Sequence, residues 1–267
     1  MKESSTELIR AYGLIGNGYS LITADKDKRP LNSWKDAQTK AIDKEGFEKQ
    51  FHAKGSEGVC GIVTGFNDLE CMDVDLKVFS TIQEKVDFWS EYTSFLEDNI
   101  KDFKDKFVIY KTKNDGFHIL YKTKRVEGNK KVAKLKGHSQ QVLETRGVGG
   151  YVVVYGKSLN GKTYLDIDYI SDTDREVLFS ASRSYNHVED IVQSVPEKKG
   201  LKSSLSGLTP WDDYNNKVSV LDLIGDEFDK VRDLKDRHVI KRHGADSAHS
   251  GYIYKDSDIM YLFTSGT

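Results

Sequence analysis

A chain of 267 residues, 37% hydrophobic and 31% charged, is long enough for one large domain, or for a main domain and a small one. A formal net charge of −2 does not mark a nucleic-acid binder, and two cysteines without a Cys-x-x-Cys cannot build a zinc finger. No long apolar span or signal peptide is present, so the expectation is no membrane and a cytoplasmic, intracellular protein in which Cys60 and Cys71 are reduced core thiols.

Ser4 to Tyr12 reads as a short helix and Tyr19 to Thr23 as a strand, followed by the polar loop Asp25 to Pro30 and by Trp34. Glu45 to Phe51 suggests a second helix. Two apolar runs, Gly58-Val-Cys-Gly-Ile-Val-Thr-Gly65 and Leu69-Glu-Cys-Met-Asp-Val-Asp75, then meet around a Gly-Phe-Asn-Asp corner and read as a β-hairpin. Residues i and i+2 of a strand share a face, so the carboxylates of Asp73 and Asp75 project together. Like charges that close are costly unless a cation neutralises them, which suggests a divalent metal. The other reading has Asp75 capping a helix that begins near Val78, with Asp73 in solvent.

An amphipathic helix is expected from Ser80 to Ile100, with Ile82, Val86, Trp89, Tyr92 and Phe95 forming its core stripe. Phe107 to Thr112 and Phe117 to Tyr121 are strand-like and joined by Asn114-Asp-Gly, a tight-turn signal. From Lys122 to Lys136 the chain carries Lys122, Lys124, Arg125, Lys130, Lys131, Lys134 and Lys136 against Glu127 alone. A solvated loop is the commoner reading of such a run, and a track for a phosphate backbone the other. Gln141 to Thr145 and Tyr151 to Tyr155 flank Arg146-Gly-Val-Gly-Gly150 as a third hairpin. Those glycines are no P-loop, because no helix follows and the Lys-Ser/Thr pair is missing, so ATP hydrolysis has no place in this chain.

Asp166-Ile-Asp168 repeats the Asp-x-Asp pattern in a strand-like run and reads as surface. A helix follows over Asp172 to Ser182, and Val195 to Gly207 resembles a linker. After Thr209-Pro-Trp-Asp-Asp, a helix near Val218 to Ile224 and short strands around Val239, Tyr252 and Tyr261 make a segment small for an independent core. The spacing of His238, His243 and His249 fits no zinc pattern, so these read as solvated or phosphate-facing.

The strand ends thus carry Asp73 and Asp75, then His118, then Glu144 with Arg146. Singly, His118 and Glu144 read as ordinary core or surface residues. Together the set suits nucleotidyl transfer: carboxylates hold one or two Mg²⁺ or Mn²⁺ ions that bridge a triphosphate and activate a 3′-hydroxyl. An imidazole and an arginine orient and neutralise the phosphates.

These residues carry a resemblance. Gly58 to Asp75 resembles the Gly-hydrophobic-x-Thr-Gly … hydrophobic-Asp-hydrophobic-Asp signature of the bifunctional primase/polymerase (prim–pol) family, in the archaeo-eukaryotic primase superfamily. Lys28-Arg-Pro30 followed by Trp34 resembles its Lys-x-Pro … Trp segment. Lys113-Asn-Asp-Gly-Phe-His118 is similar to its nucleotide-contacting Ser-x-His-type motif. Leu143-Glu-Thr-Arg-Gly-Val-Gly-Gly-Tyr-Val-Val153 is similar to the element that supplies its third metal-binding carboxylate, and Tyr155-Gly-Lys-Ser158 stands where a Pro-Pro-Ser or Pro-Gly-Ser turn is usual. The likeness covers roughly Tyr12 to Tyr164. Asn114-Asp115-Gly116 departs from the frequent Ser-Gly-Gly, and Glu144 stands where aspartate is common.

The resemblance implies an α/β fold of the α+β type, a mostly antiparallel sheet flanked by helices with an N-terminal α/β unit beside it. It implies a catalytic domain over 1–190, a linker over 191–208 and a small α+β accessory module over 209–267. The implied activity is template-directed primer synthesis, with extension by deoxynucleotides, on single-stranded DNA from nucleoside triphosphates. Asp73, Asp75 and Glu144 would bind Mg²⁺ or Mn²⁺. His118, Asn114, Arg146, Lys28, Lys157 and Ser158 would bind the nucleotide. A helicase, in the same longer chain or in trans, and a plasmid, phage or mobile-element setting are part of the same expectation. Two other readings of the residues stay open: a non-catalytic DNA-binding module relying on Lys130, Lys131 and Lys134, and a metal-dependent nuclease.

Overall fold

How the strands assort into sheets decides where the acidic groups finish. The computed structural model describes residues 2–31, 33–53, 56, 58–187, 214, 217–245 and 249–262. The chain divides into two compact units, Met1–Tyr185 and Asn186–Thr267. The expected linker over 191–208 lies outside the described residues.

In the first unit, α1 (Lys2–Gly16) and α2 (Lys44–Phe51) accompany β1 (Leu21–Ala24), β2 (Val59–Val63) and β8 (Tyr151–Val153). Asp43 caps α2 by accepting from the Gly46 amide at 2.7 Å. The three strands form an antiparallel sheet in the order β1-β2-β8. A second antiparallel sheet has the order β4-β5-β3-β7-β6: β4 (Val108–Lys111), β5 (Phe117–Lys122), β3 (Leu69–Val74), β7 (Gln141–Arg146) and β6 (Lys131–Lys134). Strand β3 is central, which explains its nearly unbroken burial. Leu69 and Cys71 pack with Leu21, Cys60, Ile62 and Val152 from the smaller sheet. The alternate residues Glu70 and Met72 face α5 (Asp172–Arg183), where Arg175 and Ser182 meet them. Asp73 therefore belongs to the inter-sheet face, at the strand's end. Cys60 and Cys71 are free and buried, as expected, and burial pushes both thiols up.

Two of the three expected hairpins are corrected. Strand β2 pairs with β1 and β8 while β3 pairs with β5 and β7, so the Gly65 corner passes the chain from one sheet to the other. The loop after Arg146 does the same in reverse, from β7 to β8. The two crossings lie side by side: Thr64 donates its amide to the Gly150 carbonyl at 3.0 Å and its hydroxyl to the Gly147 carbonyl at 2.7 Å. Gly65 has φ +78°, and a Cβ there would lie 2.6 Å from Val148 Cα, so only glycine fits. The physical reason is that each run is apolar on both faces, which a two-stranded hairpin cannot bury but two stacked sheets can. The β4–β5 hairpin is real, closed by Thr112 to Gly116. A Cβ on Gly116 would lie 2.3 Å from the Val74 carbonyl oxygen, so glycine lets this turn close against the end of β3.

The helix α3 (Ile82–Asn99) forms, but its buried stripe is Phe88, Tyr92, Phe95 and Leu96, while Ile82 and Val86 are exposed. Trp89 stacks on Phe117 with ring centroids 3.6 Å apart. The short α4 (Phe103–Lys106) precedes β4. Asp166 is not in a strand: it closes a capping box with Thr163 over a 3₁₀ turn. Strand β6 emerges within the lysine run, in which three of the seven cations form these ion pairs: Lys124 with Asp68, Arg125 with Asp172 and Glu176, and Lys130 with Glu127.

The second unit holds α6 (Val220–Leu223) and a four-stranded antiparallel sheet ordered β12-β11-β10-β9. Its strands are β9 (Phe228–Asp233), β10 (Arg237–Arg242), β11 (Gly251–Tyr254) and β12 (Met260–Leu262), with Phe228, Ile240 and Ile253 as the core. Strand β9 escaped the sequence because its charged residues mask the alternation. His238 pairs with Asp233 and His243 with Asp229, but His249 is buried rather than solvated. Among the described residues no helix is long and apolar enough to cross a membrane. The architecture is thus mixed α/β, with antiparallel sheets flanked by helices.

Candidate active-site cleft

Strand register puts three polar side chains abreast. Asp73 on β3 is the Cα partner of His118 on β5 and of Glu144 on β7. Arg146, two residues beyond Glu144, shares its face. The guanidinium donates to Asp73 Oδ2 from Nε and Nη2, each at 3.3 Å, and from Nη2 to Glu144 Oε1. His118 Nε2 lies 3.7 Å from Asp73 Oδ1. Asp73, His118 and Arg146 border a cleft of about 280 Å³, whose wall also includes Asp75, Lys28 and Asn114; Glu144, paired with Arg146, does not line it.

Asp75 is a cap, though of an earlier turn than expected. Its carboxylate caps the turn Leu76–Val78 through the Lys77 amide at 3.1 Å and pairs with Lys77 Nζ at 3.3 Å, yet it also lines the cleft. Asp73 is not in solvent; its side chain is 18% exposed.

The electrostatics follow from crowding. Burial pushes the Glu144 carboxyl up, and the charges of Asp73 and Asp75 add to that while Arg146 opposes it. Burial pushes the His118 imidazole down, against the pull of Asp73. Its Nδ1 is buried without a hydrogen-bond partner among the described residues, a cost that structural histidines ordinarily avoid.

Asn114 reaches the cleft from the β4–β5 turn and Lys28 from the loop after β1. Lys157 and Ser158 are not brought to it: Lys157 is exposed, and Ser158 bridges Tyr110 of β4. The cleft also takes in Thr112, Lys77, Asn129, Tyr151 and Tyr155, which sequence reasoning did not single out. Tyr151 and Tyr155 looked like strand core. The one available signal was Tyr155 standing where a proline is usual.

Among the described residues no group of three or more histidine, cysteine or acidic side chains is drawn together tightly enough to hold a metal ion. Arg146 instead neutralises Asp73 and Glu144. The donor set still fits a hard divalent cation. Asp73, Asp75 and Glu144 offer carboxylate oxygens only, the donor type that hard divalent cations take.

A search of curated proteins gives no significant match. Residues 11–168 match the family described as bifunctional DNA primase/polymerase, N-terminal (Prim-Pol). That span contains every residue named in the cleft, and the family's activity implies DNA and nucleotides as substrates. With more than half its length matched, the chain belongs to the bifunctional DNA primase/polymerase family.

Proposed function

We propose that the first unit is a metal-dependent nucleotidyltransferase that makes and extends primers on single-stranded DNA. The observation that carries this reading is the row His118–Asp73–Glu144 on three adjacent strands, with Asp75 and Arg146 at the same end. Members of the family generally use divalent metals. Asp73, Asp75 and Glu144 would hold Mg²⁺ or Mn²⁺, which lowers the pKa of the primer 3′-hydroxyl and neutralises the leaving pyrophosphate. Arg146, which now pairs with Asp73 and Glu144, would be released to phosphate oxygens if a metal took its place on those carboxylates. His118, beside Asp73, would donate a hydrogen bond to the triphosphate. Asn114 supplies an amide where the motif usually has serine. Lys157 and Ser158 have no part in this cleft.

Incubating the full chain with labelled primed and unprimed template, Mg²⁺ or Mn²⁺, and nucleotides tests the reading. Extension that requires all three components is expected. Template cleavage without nucleotides would mark a nuclease. Salt-sensitive binding without either reaction would mark a DNA-binding module.

A further inference from the structure

Three cations line the cleft, and only one is held by a neutral partner. Arg146 is engaged by Asp73 and Glu144, and Lys77 by Asp75. Among the described residues Lys28 has no carboxylate within ion-pair distance; its Nζ faces the Tyr155 hydroxyl at 3.4 Å. The Lys28 backbone is left-handed, with φ +65°, a conformation that residues with a Cβ keep only where their surroundings impose it.

The surroundings do impose it. Asp25 Oδ1 accepts from the amides of Asp27 and Arg29, both at 2.9 Å, and the Lys28 amide donates to the Asp25 carbonyl at 3.0 Å. From β8, the Tyr151 hydroxyl donates to the Lys28 carbonyl at 2.7 Å, and Trp34 packs edge-on against the Tyr151 ring with centroids 5.4 Å apart. The Tyr155 ring lies 5.5 Å from the His118 ring, so the hydroxyl beside the lysine belongs to the wall that also carries the imidazole. A solvated surface lysine needs none of this. Lys28 is fastened at its carbonyl and steered at its amine by two tyrosines of one segment.

We propose that Tyr151 and Tyr155 are positioning residues that aim the Lys28 ammonium into the cleft, as the cation that receives the phosphates of the incoming nucleoside triphosphate. The proposal rests on the nucleotidyltransferase reading and names what fixes one of its ligands. Tyr155 takes the place of the turn proline, and its hydroxyl supplies a contact that a proline lacks.

The test measures KM for nucleotide and kcat on primed template, using the full chain with Mn²⁺. Lys28→Ala is expected to raise KM about tenfold with kcat little changed, as loss of a charged hydrogen bond predicts, and Lys28→Arg to restore much of it. Lys28→Gly removes the amine while favouring the left-handed backbone, and is expected to behave like Lys28→Ala. Tyr155→Phe and Tyr151→Phe are expected to raise KM about threefold each, and Tyr155→Phe to add nothing once Lys28 is alanine. Unchanged KM in Lys28→Ala, rescue by Lys28→Gly, or a Tyr155→Phe effect that persists without the lysine would each overturn the assignment. A wild-type protein that incorporates no nucleotide would instead overturn the nucleotidyltransferase reading, and the inference with it.

Discussion

At the scale of residues, the chain carries two charge clusters on opposite faces of β3, one buried and one partly exposed, that differ in how they are satisfied. Glu70 is fully enclosed, accepting from Arg175 Nε at 2.8 Å, Arg175 Nη2 at 3.0 Å and the Tyr121 hydroxyl at 2.8 Å. All of its demand is met, which is how a structural ion pair is built. Replacing Arg175 with alanine strands the carboxylate, and urea denaturation should show a loss of about 3–5 kcal/mol. Tyr121→Phe removes a single donor and should cost about 1–2 kcal/mol in the same measurement. On the other face, Asp73, Glu144 and His118 are under-satisfied, with one arginine serving two carboxylates and an unpartnered ring nitrogen. Strand periodicity with motif spacing made this second group legible in the sequence. Lys157 and Ser158 do not line the cleft, because the chain runs along β4 after Tyr155, which motif order does not show. The role of Tyr155 was hidden for a related reason: a tyrosine after three valines reads as core.

At the scale of elements, β2, β3, β7 and β8 were visible as apolar runs, and their partners were not. A short apolar run followed by a glycine corner gives the same sequence signal whether it folds back on itself or crosses to another sheet. Burial on both faces decides for crossing, and the paired Gly65 and Gly147–Gly150 corners make the two crossings interdependent. Gly65→Ala adds a side chain at a left-handed position against the Val148 backbone, and should destabilise the fold by about 2–3 kcal/mol by urea denaturation. Because Gly65 lies near the start of β3, incorporation by this variant should fall at temperatures where the wild type remains active. The α3 stripe is a milder case: Tyr92 and Phe95 are buried as the period predicts, with Phe88 and Leu96 in place of Ile82 and Val86, while Trp89 stacks on Phe117.

At the scale of the whole molecule, every cleft residue belongs to the Met1–Tyr185 unit, while Asn186–Thr267 has its own core. Ile240→Ala, at a fully buried position of that second core, should cost about 2–5 kcal/mol of the unit's stability by denaturation. Nucleotide incorporation should persist below the transition of the altered unit. The net charge is near zero, and Lys124 and Lys130 of the lysine run are paired with Asp68 and Glu127. The central claim is that Asp73 anchors metal-dependent nucleotidyl transfer, and the most direct measurement is primer extension by Asp73→Asn with Mg²⁺ or Mn²⁺ supplied. The account predicts loss of incorporation by at least about a hundredfold, with an unchanged thermal transition, because one carboxylate charge is removed at constant volume. Incorporation at the wild-type rate by a folded Asp73→Asn protein would contradict it.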